Sequence, residues 1–373
     1  MKRESLRNCK RIVVKVGTSS ITYPTGKVNL GKMELLAREL SDLHSAGREL
    51  VLTSSGAVGA GVGKLNCPPP STLPEKQALA AIGQGILMHM YEKFFSEYSK
   101  SVAQVLLTRD CFSDPERYLN SRNTLFSLLN FGVIPIINEN DTVAVDELKF
   151  GDNDTLSAMV ACNVEADLLI ILSDIDGLYD SDPRKNKSAR LIPEVSEITQ
   201  TMVENSKAKG SLLSSGGMFT KLSAARMTML GGIPMVIASS EEPDIIRRVA
   251  KGEHLGTLFL PSREGYASRR QWIAVGSAAK GWLTVDGGAE EALLRRGKSL
   301  LPSGVVKIEG LFEVGEVVGV KNASGLEIAR GISNYGHDDA VKILGKHTAE
   351  IEKILGHKHY EELIHRNNMA ILA

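Results

Sequence analysis

Two clusters of acids and amides in the middle of the chain have the residue types and spacing for chemistry. Asn138-Glu139-Asn140-Asp141 is followed, nine residues later, by Gly151-Asp152-Asn153-Asp154, which runs into Thr155-Leu156-Ser157-Ala158. The apolar run Phe131–Ile137 before them reads as a buried strand. A helix start follows them, since Asn153 or Asp154 can cap its first free amides. The polar residues therefore hang between the C-terminal end of a strand and the N-terminal end of a helix, where open α/β sheets bind ligands. Two Asx-rich turns are the plain alternative, because Asn and Asp favour turns for local backbone reasons.

Two lysines add positive charge. Lys15 sits late in the apolar strand Arg11–Val16, just before Gly17-Thr18-Ser19. Such a turn can aim backbone N–H groups at a phosphate while the lysine supplies a point charge. The alternative is an edge-strand lysine reaching out to water. Lys221 follows the Gly216-Gly217 turn on the first turns of a helix. A cation is unfavourable at that end, so it is of more use facing an anion than idling on the surface. Leu50–Gly63 is a strand entering a turn with glycines at 56, 59, 61 and 63. This spacing is neither the dinucleotide fingerprint nor a P-loop. A helix starting after Gly56 would offer its positive end to an anion, and close packing is the competing reading. Arg296-Gly-Lys-Ser299 resembles part of a P-loop but follows a helix, with Ala292 where the motif needs glycine, and is rejected. Two lysines, glycine turns and an Asp/Asn cluster suit phosphoryl transfer, which needs charge neutralisation and positioning more than covalent work.

These residues need a scaffold. Helices are expected from Asn29 to Gly47, with Met33, Leu36, Ala37, Leu40 and Leu43 on one face, and over Glu75–Tyr98, Pro115–Asn130 and Pro243–Lys251. Strands are expected at Ser101–Leu107, Ala166–Ser173, Gly232–Ala238 and from Gly256. Their alternation to about residue 260 predicts a mainly parallel sheet covered on both faces. From Trp272 the texture changes to short β-type runs with a helix around Ala289–Arg296, a small mostly-β domain. The domains read as 1–260, a linker at 261–271, and 272–373. With 44 basic and 44 acidic residues there is no global attraction to nucleic acid or anionic membrane. Cys9, Cys67, Cys111 and Cys162 stand far apart and read as reduced thiols of a cytoplasmic protein. No apolar run approaches the ~18 residues of a spanning helix. Five histidines beyond residue 330 share no metal-ligand spacing.

The combination Val14-Lys-Val-Gly-Thr-Ser, Thr53-Ser-Ser-Gly-Ala, Asn138-Glu-Asn-Asp, Gly151-Asp-Asn-Asp, Asp180-x-Asp-Pro-Arg and Gly216-Gly-Met-x-Thr-Lys resembles the glutamate 5-kinase branch of the amino acid kinase family. Thr284-Val-Asp-x-Gly-Ala and Ser299-Leu-Leu-Pro-x-Gly are similar to the PUA domain that many such chains carry. The motifs cover nearly the whole chain in family order. Where the family often has Thr-Asp and Thr-Gly-Gly-Met, this chain has Ser173-Asp174 and Ser215-Gly-Gly-Met, keeping each hydroxyl.

The resemblance implies a three-layer αβα sandwich with a small PUA domain, acting in the cytoplasm. The implied reaction is ATP- and Mg²⁺-dependent phosphorylation of the L-glutamate γ-carboxylate, the opening step of proline biosynthesis, with proline as feedback inhibitor. It also implies that Lys15 and Lys221 hold the ATP phosphates, with Asp154 orienting them and Asp152 close by. Ser55, Gly56, Asn138, Asp141 and Asn153 would hold L-glutamate, Asp141 taking its ammonium group. Gly17, Ser173, Asp174 and the run Ser215, Gly216, Gly217, Met218, Phe219, Thr220 to Lys221 would contact the nucleotide. Implied partners are a second copy of the chain, as a dimer or tetramer, and a glutamyl phosphate reductase, with no membrane. Rival readings are other amino acid kinases, acting on aspartate, acetylglutamate, carbamate or a nucleotide, and an RNA-binding protein, since PUA domains commonly serve RNA.

Overall fold

The computed structural model describes residues 2–23, 25–144, 153–181, 183, 186, 188–206, 217–262 and 279–372. The chain forms two compact units: Met1–Asp110 with Arg122–Gly265, and Cys111–Ser121 with Tyr266–Ala373. The unit boundary therefore departs from a single cut in the sequence.

In chain order come β1 (Arg11–Val16), α1 (Thr18–Ile21), α2 (Leu30–Ser45), β2 (Glu49–Ser54), α3 (Ala57–Leu65), α4 (Leu73–Ser96) and β3 (Val102–Leu107). Next are α5 (Asp110–Ser113), α6 (Pro115–Asn130), β4 (Ile134–Glu139), α7 (Asn153–Asn163) and β5 (Leu168–Ser173). β6 (Glu194–Val195), α8 (Gln200–Ser206), α9 (Met218–Leu230), β7 (Met235–Ser239), α10 (Ile245–Ala250) and β8 (Thr257–Phe259) follow. The sheet order is β3-β4-β2-β1-β5-β7-β8-β6. All its pairs are parallel except β7 with β8.

β1 lies mid-sheet between β2 and β5, so its aliphatic residues are buried on both faces. Val14 and Val16 join a core shared with α2, α4 and α10. Lys15, one residue out of phase with both, points to the opposite face, where α7 packs on β1 and against α9. α2 starts at Asn29, whose side chain accepts the Lys32 N–H at 3.1 Å, and it buries Met33, Leu36, Ala37 and Leu40. Met33, Leu36 and Leu40 each contribute about 1.5–3 kcal/mol on burial. α4 opens on a capping box between Thr72 and Glu75.

Gly61 of α3 and Gly83 of α4 serve helix–helix contact. A Cβ on Gly83 would lie 1.7 Å from the Ala57 carbonyl oxygen, and one on Gly61 would lie 2.1 Å from that of Leu79. The close-packing reading thus accounts for part of the glycine-rich stretch. Gly56, at φ +101°, makes the turn from β2 into α3.

The second unit holds a five-stranded sheet. Its strands are β9 (Gly281–Val285), β10 (Val305–Glu309), β11 (Val317–Lys321), β12 (Glu327–Ile332) and β13 (Met369–Ile371), ordered β10-β9-β11-β12-β13. The helix Gly287–Arg296 is capped by Asp286 and ends at Gly297 with φ +57°. Arg296-Gly-Lys-Ser299 is therefore a helix end, which fits its rejection as a phosphate loop. The Lys321 ammonium sits 3.8 Å from the centre of the Trp282 ring, and Gly319 leaves room for that ring.

Several elements escape sequence reasoning. Phe131 is exposed and the strand starts only at Ile134. β6, α8, β13 and two short helices at His337–Lys342 and Ile351–Leu355 carry too little periodicity to announce themselves. Most of the expected linker 261–271, and Asp182 of the Asp180-x-Asp-Pro-Arg motif, lie outside the described residues.

Candidate active site

Lys15 and Lys221 meet at one carboxylate. Lys15 Nζ is 2.6 Å from Asp154 Oδ1 and Lys221 Nζ is 3.1 Å from Asp154 Oδ2. The Thr220 hydroxyl donates to Asp154 Oδ2 at 3.0 Å. Asp154 is fully buried and both lysines are nearly so. The trio carries a net charge of one positive unit away from water, which is costly unless an anion completes it. A strand places Lys15, the first turn of α7 places Asp154, and the first turn of α9 places Lys221. The edge-strand and surface alternatives for these lysines do not hold.

Gly17, directly after β1, keeps the space beside Lys15 clear. A Cβ there would sit 3.9 Å from Lys15 Nζ and 3.8 Å from Ser20 Oγ. The Ser20 and Thr53 hydroxyls are buried and, among the described residues, have no hydrogen-bond partner. Thr53 is the register neighbour of Lys15 across β1 and β2. Positive charge, idle donors and a glycine-held gap together fit a nucleotide phosphate.

Uncharged amides form the second half of the site. Asn138, at the end of β4, accepts the Glu139 N–H on Oδ1 at 2.9 Å. Asn153 Nδ2 donates to the Ser54 carbonyl at 3.2 Å, to Ser55 Oγ at 3.0 Å and to Asn138 Oδ1 at 2.9 Å. Asn138 Nδ2 donates to Gln84 Oε1 at 2.9 Å. A backbone N–H only donates and a carbonyl only accepts, so both asparagine orientations are fixed without ambiguity. Ser55 Oγ accepts from Asn153, and among the described residues nothing accepts its own O–H, which is left for a ligand. Asn153 Nδ2 is fully used, which leaves Asn153 Oδ1 to accept. Beneath, the Ser54 and Tyr91 hydroxyls bond at 2.7 Å, and burial raises the Tyr91 pKa.

α7 joins the halves. Asn153 and Asp154 are successive residues of its first turn, about 100° apart around the axis. One side chain therefore reaches the amide network and the other the lysines. The capping role expected for them gives way to these cross-strand bonds.

Asp141 follows β4 and lines a cavity of about 320 Å³ together with Gln84 and Asn140. Ser173, buried at the end of β5, donates to Asp174 Oδ1 at 3.0 Å. Gly217 precedes α9, and Met218, Phe219 and Thr220 form its first turn. Asp152, Ser215 and Gly216 lie outside the described residues. Gln84 was missed by sequence reasoning. Its only signal is an amide between two glycines, Gly83 and Gly85, in the middle of α4.

The model of the amino acid kinase family matches residues 10–239, and that of the PUA domain matches residues 281–355. The chain is 53% identical to a glutamate 5-kinase of Carboxydothermus hydrogenoformans, over 99% of its own length and 100% of that protein. It is 47% identical to a glutamate 5-kinase of Geobacter sulfurreducens over 100% of both chains. Among solved structures it is similar to a carbamate kinase from Giardia lamblia bound to AMP-PNP. The TM-score is 0.50 at 21% identity, covering 69% of this chain and 100% of that one, a likeness of fold.

Proposed function

The chain belongs to the amino acid kinase family, in its glutamate 5-kinase branch, and from that premise we propose that it phosphorylates the γ-carboxylate of L-glutamate with ATP. The observation that carries this reading is the buried Lys15–Asp154–Lys221 trio beside the amide network.

In the proposed reaction a γ-carboxylate oxygen attacks the γ-phosphorus of ATP. The bond to the β,γ-bridging oxygen breaks, and ADP leaves with its electron pair, giving L-glutamyl 5-phosphate. A carboxyl group with pKa near ~4.3 is already ionised at neutral pH, so no general base is needed. The barrier is the approach of two anions. Lys15 and Lys221 hold the phosphates and stabilise the transferring group, while Asp154 fixes both ammonium groups. Mg²⁺, when bound, adds further neutralisation. Among the described residues Asp154 would be placed to hold it through water, and it would supply further positive charge at the phosphates.

Ser55, through its free O–H, together with Asn138, Asn153 and the Gly56 turn, would hold the acceptor, with Asp141 taking the α-ammonium. Gly17, Ser173, Asp174 and the run Ser215–Lys221 would take the nucleotide, with Asp152 nearby. We divide the chain into a catalytic domain 1–260, a linker 261–271 and a PUA domain with tail 272–373. The same membership supports proline as feedback inhibitor, homo-oligomers, and hand-over of the labile acyl phosphate to a glutamyl phosphate reductase. The four free thiols suit a cytoplasmic protein.

The test is ATP turnover with Mg²⁺ and L-glutamate, trapping the acyl phosphate with hydroxylamine, with and without proline. Glutamate-dependent hydroxamate is expected, and proline should suppress it. No hydroxamate from glutamate, but product from another acid, overturns the acceptor assignment.

A further inference from the structure

Gln84 projects from α4 into the cavity that Asp141 also lines. Its Oε1 is committed to Asn138 Nδ2, whose direction is set in turn by the Glu139 backbone N–H. The polarity of Gln84 is thereby fixed: Nε2 must face away from Asn138. Among the described residues nothing accepts from it. Its two N–H bonds are idle donors on a held side chain.

The surroundings narrow what those donors meet. The described residues lining the cavity include the carboxylates of Glu139 and Asp141 and no lysine or arginine. Ala80, Ala81 and Gly85 give it a floor of small residues, and a Cβ on Gly85 would meet nothing within 4 Å. Such a site suits the dipolar head of an α-amino acid: an ammonium on a carboxylate, and a carboxylate on neutral donors. The two groups share one carbon, so an ammonium at Asp141 brings its carboxylate into the same cavity.

We infer that Gln84 is a specificity-determining residue of the acceptor site, whose amide N–H groups receive the α-carboxylate of the amino-acid substrate. This rests on the acceptor reading proposed above. Gln84 does two things at once: its oxygen fixes Asn138, and its nitrogen reads the substrate.

Changing one function while keeping the other separates them. Gln84→Glu keeps an oxygen for Asn138 but replaces the donor by an anionic oxygen. The full chain is assayed with L-glutamate and with L-isoglutamine, whose α-carboxyl is an amide while its γ-carboxylate remains to be phosphorylated. The preference for glutamate in kcat/KM is expected to fall by at least ~100-fold, because a site's unpaired polar groups penalise the wrong partner heavily. The change should lie in the KM for glutamate, with the KM for ATP within about twofold of wild type. Gln84→Met, which removes oxygen and donor together, should cost about tenfold of that preference.

If Gln84→Glu retains the wild-type preference, Gln84 acts only through Asn138 and the inference is overturned. If Gln84→Glu does not fold, Gln84→Met decides, and an unchanged preference there overturns it equally. A wild type that makes no hydroxamate from glutamate overturns the acceptor reading and this inference with it. A wild type that does, beside a variant with unaltered preference, overturns this inference alone.

Discussion

The two halves of the candidate site bury polar groups in opposite ways. The lysine half gathers two ammonium groups around the one carboxylate of Asp154. The amide half is built on a network of neutral side chains, with the carboxylates of Glu139 and Asp141 in the cavity beside it, and the network's polarity is set by two backbone groups, the Glu139 N–H and the Ser54 carbonyl. Buried net charge invites an anion and is worth most where charge develops during reaction. A directed network of neutral donors and acceptors instead discriminates between ligands by which atoms they present. The lysine half should therefore govern kcat and the amide half the KM for the acceptor. One helix turn, Asn153-Asp154, keeps the halves in register.

The largest effects are expected at the lysines. Lys15→Ala or Lys221→Ala should lower kcat by about 10³-fold, the scale for removing a positive group from a phosphoryl-transfer site. Each variant keeps Asp154 paired with the remaining lysine, so the fold should survive, as circular dichroism and thermal melting would show. A loss that appeared only in the KM for glutamate would break the division between the halves.

On the amide side, Asp141→Ala and Asn138→Ala should each raise the KM for glutamate by about 10- to 100-fold with a smaller change in kcat. Steady-state kinetics with each substrate varied in turn checks this. A normal glutamate KM with impaired ATP use would place Asp141 in the wrong half.

How much of this could be read from the chain differs between the halves in the same way. Lys15 and Lys221 were legible because each breaks a local rule: a lysine in an apolar strand, and a cation at a helix N-terminus. Their meeting at Asp154 came only from the family resemblance and not from local pattern, since it depends on α7 and α9 packing together beside β1. The Asn138–Asp141 and Gly151–Asp154 clusters stood out by density, but the bonding order did not. Gln84 follows helical periodicity and violates nothing, so only its neighbours in space reveal it. The same holds for the fold. Long periodic elements such as α4 and α6 were evident, whereas β6 and β13 are short strands defined by their partners.

A backbone substitution can load one half without touching its polar groups. A Cβ on Gly83 would strike the Ala57 carbonyl oxygen, so Gly83→Ala must push α4 away from α3. Overpacking of this kind costs about 1–3 kcal/mol. α4 carries Gln84 directly after Gly83, while none of Lys15, Asp154 and Lys221 lies on α3 or α4. A lower melting temperature with a KM for glutamate raised more than that for ATP is expected. Equal increases in both would show that α3 and α4 also support the lysine half.

The smallest effect lies on the far face of the sheet and should reach neither half. Glu39 of α2 is 8% exposed and accepts the backbone N–H groups of Ile246 at 2.9 Å and Arg247 at 3.3 Å. Burial raises its pKa despite those bonds, with Asp244 adding to the rise and the Arg247 side chain opposing it. A folded-state pKa above the unfolded value means that the folded protein holds this proton more tightly. The resulting stability is complete below the unfolded value of about 4.3 and is lost as pH rises through the folded value. Glu39→Gln still offers an oxygen to both N–H groups but cannot ionise. Its melting temperature should match wild type near about pH 4 and exceed it by about 1–2 °C near pH 8, with kcat and both KM values unchanged. A variant equally less stable at both pH values would show that Glu39 acts there as a charge rather than as an acceptor for the N–H groups of α10.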